Sequence, residues 1–148
     1  MNREQTIVRI AREHLSEVAA LERLCFSEPW SEKSLELLLT DAAIGFVCLC
    51  DAHVVAYGGM LWAPDEGQIT NVAVHPSARR CGCARAILAA LTDAAKEKNA
   101  EQISLEVRES NAAAIALYER DGYVTVGKRK NFYRDPREDA LIMIRNLK

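Results

Sequence analysis

From Gln68 to Leu91 the chain has no acidic residue, although Asp and Glu account for 21 of its 148 residues. Within that window its character changes twice. Gln68 to Val74 reads as a strand. His75-Pro76-Ser77-Ala78-Arg79-Arg80-Cys81-Gly82-Cys83-Ala84-Arg85 then reads as a loop turning into a helix. Ile87, Leu88, Leu91, Ala94 and Ala95 extend that helix as an apolar stripe to about Asn99. The first turn of a helix leaves backbone N–H groups unpaired and carries the positive end of the helix dipole. Gly82 allows close backbone approach, Ala84 keeps the next turn narrow, and Arg79, Arg80 and Arg85 add charge. The segment suits a phosphate or pyrophosphate. The plainer reading is a solvated arginine-rich loop before an ordinary helix. Neither G-x-x-x-x-G-K-[ST] nor G-x-G-x-x-G occurs here.

The rest of the chain reads as strands, then strand–loop–helix–strand–helix, then strands. Ile7 to Ile10 is a first strand. Ser16 to Phe26 is a helix with Val18, Leu21, Leu24 and Cys25 at helical spacing, ended by Pro29. Ser31 N-caps a second helix over Ser34 to Leu39. Phe46–Cys50 and His53–Trp62 form a hairpin about Asp51-Ala52. In Gln102–Arg108, Ile103, Leu105 and Val107 alternate with Ser104, Glu106 and Arg108. Ser110 caps a helix through Tyr118, and Gly122 suits its C′ position. Tyr123–Val126 and Ala140–Ile144 are the last strands. This order implies an α/β domain around a mixed sheet.

Composition narrows the function classes. A 148-residue chain that is 49% hydrophobic and 27% charged fits one domain and excludes disordered and fibrous classes. A net charge of −2 argues against a chain-wide grip on nucleic acid. No apolar run reaches membrane-spanning length, and Met1–Arg12 alternates charged and apolar residues, unlike a signal peptide. Five cysteines, an odd number, point to a reducing, cytoplasmic setting. Cys48 and Cys50 read as buried inert thiols. His14, His53 and His75 have no metal-ligand spacing, so no metal is expected.

Arg79-x-x-Gly82-x-Ala84, after Thr70-Asn71-Val72-Ala73-Val74, resembles the Q/R-x-x-G-x-G/A acetyl-CoA motif of the GNAT acetyltransferases. Leu105-Glu106-Val107-Arg108-Glu109-Ser110-Asn111-Ala112-Ala113-Ala114-Ile115-Ala116-Leu117-Tyr118-Glu119 resembles their bacterial ribosomal-protein-alanine N-acetyltransferase (RimI) branch. So do Phe26-Ser27-Glu28-Pro29-Trp30-Ser31 and the tail Arg129-Lys130-Asn131-Phe132-Tyr133 with Glu138 to Met143. The resemblance spans essentially the whole chain. Ala84 stands where many members carry a second glycine.

The resemblance implies a single GNAT-like domain over residues 1–148. Its sheet is central, mixed and largely antiparallel, with a splayed parallel pair, Gln68–Val74 and Gln102–Arg108, and helices on both faces. Acetyl-CoA would lie in the splay. Its pantetheine arm would pair with the backbone at Val72, Ala73 and Val74, one N–H near Val72 polarising the thioester. Its pyrophosphate would sit over Arg79, Arg80, Cys81, Gly82, Cys83, Ala84 and Arg85. Glu106 would be the general base through water, Tyr118 the general acid towards the CoA sulfur, and Asn111 a cofactor contact. Trp30, Phe132 and Tyr133 would line the substrate side. The implied acceptor is the N-terminal amine of a protein, of the ribosomal protein S18 alanine type. A lysine side chain, a small amine or a non-catalytic acyl-CoA-binding role are the alternatives. A monomer is the default expectation, and charge and apolar run length predict no nucleic-acid or membrane partner.

Each residue also has an ordinary reading. Glu106 suits a solvated strand face, Tyr118 a helix core position, Asn111 a second cap beside Ser110, and Trp30 a hydrophobic anchor beside Pro29. Glu22, Glu28, Glu32, Asp65 and Glu66 fall in segments expected near the peptide groove, where they would favour a basic terminus.

Overall fold

The computed structural model describes residues 5–148; the first four residues of the Met1–Arg12 stretch lie outside them. The described residues form seven strands: β1 (Gln5–Arg9), β2 (Ala43–Cys50), β3 (His53–Ala63), β4 (Glu66–Val74), β5 (Gln102–Arg108), β6 (Val124–Arg134) and β7 (Arg137–Asn146). They make one sheet in the order β1-β2-β3-β4-β5-β7-β6. Every neighbouring pair is antiparallel except β4 and β5. The β2–β3 hairpin turns at Asp51 and Ala52, both at positive φ, which matches the twist of the flanking strands.

Helices cover both faces. On one, α3 (Cys83–Glu97) buries Ile87, Leu88, Leu91 and Ala95 against Cys48, Met60 and Ile103. Burying each of these large side chains is worth about 1.5–3 kcal/mol. The contact is close because β3 carries Gly58, where an added Cβ would collide with Ile87. On the other face, α1 (Leu15–Cys25) and α2 (Glu32–Leu35) set Val18, Leu21 and Leu35 against Val47, Tyr57 and Ala73. A 3-10 turn, Glu36–Leu39, continues α2 and adds Leu38. α4 (Ala112–Arg120) joins the first core through Tyr118.

The parallel pair is short and then opens. β4 and β5 pair only at Glu66↔Gln102, Gly67↔Ile103 and Gln68↔Ser104. At that end the Glu66 carboxyl accepts from Gln68 and Gln102, both at 2.7 Å, and from Ser104 at 3.2 Å. Burial works against its charge, but these hydrogen bonds outweigh burial and hold Glu66 below the usual carboxyl range. Beyond this clasp β4 is bent by a bulge. Gly59 pairs with Asn71 and Met60 with Ile69, so Thr70 is the extra residue.

Three sequence expectations are corrected. The N-cap of α4 is Asn111 rather than Ser110: Asn111 Oδ1 accepts from the Ala114 N–H at 3.1 Å. The Ser110 N–H instead donates to Glu138 Oε2 at 2.6 Å. The helix expected over Ser34–Leu39 is split between α2 and the 3-10 turn, although Ser31 does cap it through the Ser34 N–H. The last two strands are far longer than Tyr123–Val126 and Ala140–Ile144. β6 is an edge strand exposed along nearly its whole length, so it lacks the apolar alternation that marks a half-buried strand. Gly122 does follow the α4 C-cap at φ +98.

Candidate active site

Where β4 and β5 part, a cleft of about 610 Å³ opens. β4 lines it with Thr70, Asn71 and Val72, and β5 with Leu105, Glu106 and Val107. Asn111 and Tyr118 enter from α4, Phe26 and Trp30 from the α1–α2 connection, and Phe132 and Tyr133 from β6. Seven of the residues singled out from sequence therefore share one cavity: Trp30, Val72, Glu106, Asn111, Tyr118, Phe132 and Tyr133.

The alternation of β5 explains Glu106. Ile103, Leu105 and Val107 are buried, so Glu106 takes the opposite, half-exposed face. Its Oε2 accepts from Arg129 Nε of β6 at 3.1 Å. Tyr118 is 7% exposed and lies edge-on to Tyr123, with ring centroids 5.7 Å apart. Burial, and secondarily Tyr133, push its hydroxyl well above the ordinary tyrosine value, so it is protonated at neutral pH. Asn111 serves both readings. Its Oδ1 caps α4, while its Nδ2 remains as a donor in a residue that lines the cleft. Phe132 is 46% exposed at the cleft and packs on Tyr133 at 5.0 Å.

The remaining expected residues do not line the cavity. Ala73 points into the core beneath α1, and Val74 packs against the core on the α3 side. Ala73 pairs with Tyr57 of β3, so of these two positions only the Val74 backbone can serve a ligand. The loop Arg79–Arg85 lies at the start of α3. Arg80 and Gly82 both have positive φ, +66 and +80. A Cβ at Gly82 would meet nothing within 4 Å, so the glycine is required by backbone conformation and not by space. Arg79, Arg80, Cys81, Gly82 and Arg85 are exposed, and Ala84 is half-buried. The two cysteines flanking Gly82 part company. Cys81 faces solvent, while Cys83 is buried with its thiol 3.9 Å from the Ala78 carbonyl. Burial pushes the Cys48 thiol up to about 12, with Cys83 beside it, in line with inert packing.

These donors fit acetyl-CoA. Its anionic end calls for the helix start and exposed arginines at residues 79–85. Its amide-bearing arm calls for main-chain groups free of a neighbouring strand, as on β4 beyond Gln68.

Glu22 is the main residue misjudged from sequence. It does not face the groove; it is fully buried beneath it. Its Oε1 accepts from the Trp30 N–H at 2.8 Å, and its Oε2 from Asn71 Nδ2 at 2.9 Å and from the Tyr57 hydroxyl. The signal was present, since Val18, Leu21, Glu22 and Cys25 lie on one helical stripe. Of the other acids expected near the groove, only Glu28 lines the cleft. Among the described residues no group of three or more His, Cys, Asp or Glu could hold a metal ion. No helix among them is long and apolar enough to cross a membrane.

Comparison with known proteins agrees with this geometry. Residues 15–123 match the Acetyltransferase (GNAT) family. A Bacillus subtilis protein named as a putative [ribosomal protein bS18]-alanine N-acetyltransferase is 36% identical over 97% of this chain and 96% of its own. The Escherichia coli K12 [ribosomal protein bS18]-alanine N-acetyltransferase is 37% identical over 83% of this chain and 84% of its own. The crystal structure of the ribosomal-protein-S18-alanine N-acetyltransferase from Escherichia coli superposes with a TM-score of 0.89 at 33% identity, covering 98% of this chain and 95% of that one. With the splayed parallel pair and this match, the chain belongs to the GNAT family of acetyltransferases and is an acetyl-CoA-dependent N-acetyltransferase.

Proposed function

We propose that the protein acetylates the N-terminal α-amine of a protein, with an alanine terminus of the ribosomal protein S18 type as acceptor. The observation that carries this reading is the convergence of Glu106 and Tyr118 on a cleft also lined by Trp30, Phe132 and Tyr133. Relatives named for bS18-alanine acetylation support the choice of acceptor. The continuous seven-stranded sheet supports reading the chain as one acetyltransferase domain.

Acetyl-CoA supplies the acetyl group as an activated thioester. An α-amine has a pKa of about 7.7–8.0, so only a minority is neutral at pH 7. Glu106 accepts the amine proton through water as the new C–N bond forms, and Arg129 fixes that carboxyl in place. The backbone N–H near Val72 holds the carbonyl oxygen as charge develops on it. Tyr118 passes its proton to the sulfur as the C–S bond breaks. The burial that raises its pKa keeps that proton in place until then. Exchange with water afterwards returns a proton to Tyr118 and removes one from Glu106. The backbone of Val72 and Val74, the start of α3, Arg79 to Arg85 and Asn111 Nδ2 anchor the donor. Trp30, Phe132 and Tyr133 wall the acceptor.

The test is to incubate the purified protein with acetyl-CoA and a peptide beginning Ala-Arg, beside an N-terminally blocked peptide with a free lysine. Mass spectrometry is expected to place the acetyl group on the alanine nitrogen. Modification of the lysine alone overturns the proposal.

A further inference from the structure

Two segments distant in sequence, residues 27–28 and residues 133–138, meet at the guanidinium of Arg108, the last residue of β5. Nη1 donates to the Pro136 carbonyl at 2.9 Å and to Glu138 Oε1 at 3.2 Å. Nη2 donates to the Asp135 carbonyl at 3.0 Å and to Ser27 Oγ at 3.5 Å, and lies 3.9 Å from Glu28 Oε2. The same group stacks over the Tyr133 ring at 4.2 Å from its centroid. Glu138 in turn accepts from the Ser110 N–H, just ahead of the helix that carries Tyr118.

The partners belong to the two loops that flank the acceptor side. Phe26, Ser27, Glu28 and Trp30 of the α1–α2 connection line the cleft, as do Phe132 and Tyr133 on the strand leading into the β6–β7 turn. Their direct ties are the Ser27 hydroxyl to the Asp135 carbonyl and the Arg134 N–H to Glu28 Oε2 at 3.4 Å. Both are exposed and therefore individually weak. Arg108 differs in kind. Its side chain is only 21% exposed, its fork engages both loops at once, and its face is stacked on a ring.

We propose that Arg108 is a latch: a positioning residue that ties the α1–α2 connection to the β6–β7 turn and so sets the shape of the acceptor site while leaving the donor loop at residues 79–85 alone. The proposal rests on the N-terminal acetylation reading for its kinetic consequence. The donor loop, residues 79–85, runs from the end of β4 into the first turn of α3. Lysine is a poor replacement, because a point charge on a flexible stem can neither bridge the two loops as a fork nor stack flat on Tyr133.

The experiment compares wild type, Arg108→Ala and Arg108→Lys. Acceptor and acetyl-CoA KM are measured with the Ala-Arg peptide and with an otherwise identical Ala-Ser peptide, and amide hydrogen exchange is followed at Ser110 and Arg134. Arg108→Ala is expected to raise the acceptor KM about tenfold or more for both peptides. The acetyl-CoA KM should stay within about twofold, and exchange at both amides should quicken. Arg108→Lys should resemble Arg108→Ala. An unchanged acceptor KM, an equal rise in acetyl-CoA KM, or full rescue by lysine overturns the latch. A fall in KM for the Ala-Arg peptide alone also overturns it and marks Arg108 as a charge effect. If wild type acetylates neither peptide, the N-terminal reading fails, and exchange alone then judges the latch. Unchanged protection in Arg108→Ala refutes it, and lost protection at both amides upholds it.

Discussion

Replacing Glu22 by alanine tests how the substrate side of the cleft is built. The side chain is fully buried and receives three donors: the Trp30 N–H, the Asn71 amide and the Tyr57 hydroxyl. Tyr57 keeps its proton because burial, then the neighbouring Glu22 carboxyl, push its pKa well above the ordinary value. Glu22→Ala takes this partner from all three donors, the Tyr57 hydroxyl fully buried and the Trp30 N–H and Asn71 amide half-buried. A fully buried orphan costs about 1–3 kcal/mol and a half-buried one less, so the total is roughly 3–5 kcal/mol. Domains of this kind hold about 5–15 kcal/mol, so the variant sits near the edge of folding. At about 2–4 °C per kcal/mol for a chain of this length, Tm falls by about 6–20 °C. Glu22→Gln is the informative control. Its amide oxygen can still serve the Trp30 N–H, a donor that cannot turn round. Its NH₂ then faces Tyr57 and Asn71, which can reverse roles by rotating a hydroxyl and flipping an amide. A loss of about 1–2 kcal/mol is expected for Gln. Urea denaturation at constant m-value separates the three proteins. A cost below about 1 kcal/mol for alanine, or equal costs for Gln and Ala, refutes the reasoning.

Three further outcomes follow from the same geometry. Tyr118→Phe and Glu106→Gln should each lower kcat by about 10²-fold or more while Tm moves little, and steady-state kinetics with unchanged rates in both would remove them from the chemistry. Gly82→Ala forces a Cβ into a left-handed backbone at φ +80, at a cost of about 1–2 kcal/mol. It should raise the acetyl-CoA KM and leave the acceptor KM alone, and the reverse pattern counts against residues 79–85 as the donor anchor. The Glu138 carboxyl is held below its ordinary value by hydrogen bonds from Ser110 and then from Arg108. A depressed carboxyl stabilises fully above the ordinary value of 4.5 and loses that contribution as pH falls beneath it. Exchange protection at the Ser110 N–H should therefore decline on acidification in wild type, and Glu138→Gln should remove that dependence.

What was legible in the sequence is what short-range physics fixes. The α3 stripe, the alternation of β5, the positive-φ turn at Asp51-Ala52, the Ser31 cap and Gly82 before a helix each need only neighbours within a few residues. The splay itself followed only from resemblance, because it depends on Thr70 being one residue too many opposite β3, a matter of register. β6 was cut short because an edge strand with both faces wet carries no periodic mark. The α4 cap was placed one position early, at Ser110 with Asn111 as the second option, because the two are equally good caps by type. Glu138 decided between them by taking the Ser110 N–H, from 28 residues away.

The same division separates the two halves of the cleft. On the proposed donor side the groups are largely backbone, gathered within residues 72–85, and their requirements are a bulge, a left-handed glycine and the start of a helix. On the proposed acceptor side they are side chains hung on two polar centres. Glu22 joins residues 8 and 49 positions away, and Arg108 reaches Ser27 across 81 positions and Pro136 across 28. A polar centre of this kind is stabilising only when every member is satisfied, because a half-satisfied one leaves buried donors without partners. Its members therefore act as a unit. Once Glu22 is alanine, Asn71→Ala removes a donor that is already orphaned, so the two changes together should cost less than the sum of each alone. A strictly additive cycle would mean that Asn71 is held by something other than Glu22, and that the wall carrying Trp30 is not coupled to the bulged strand at all.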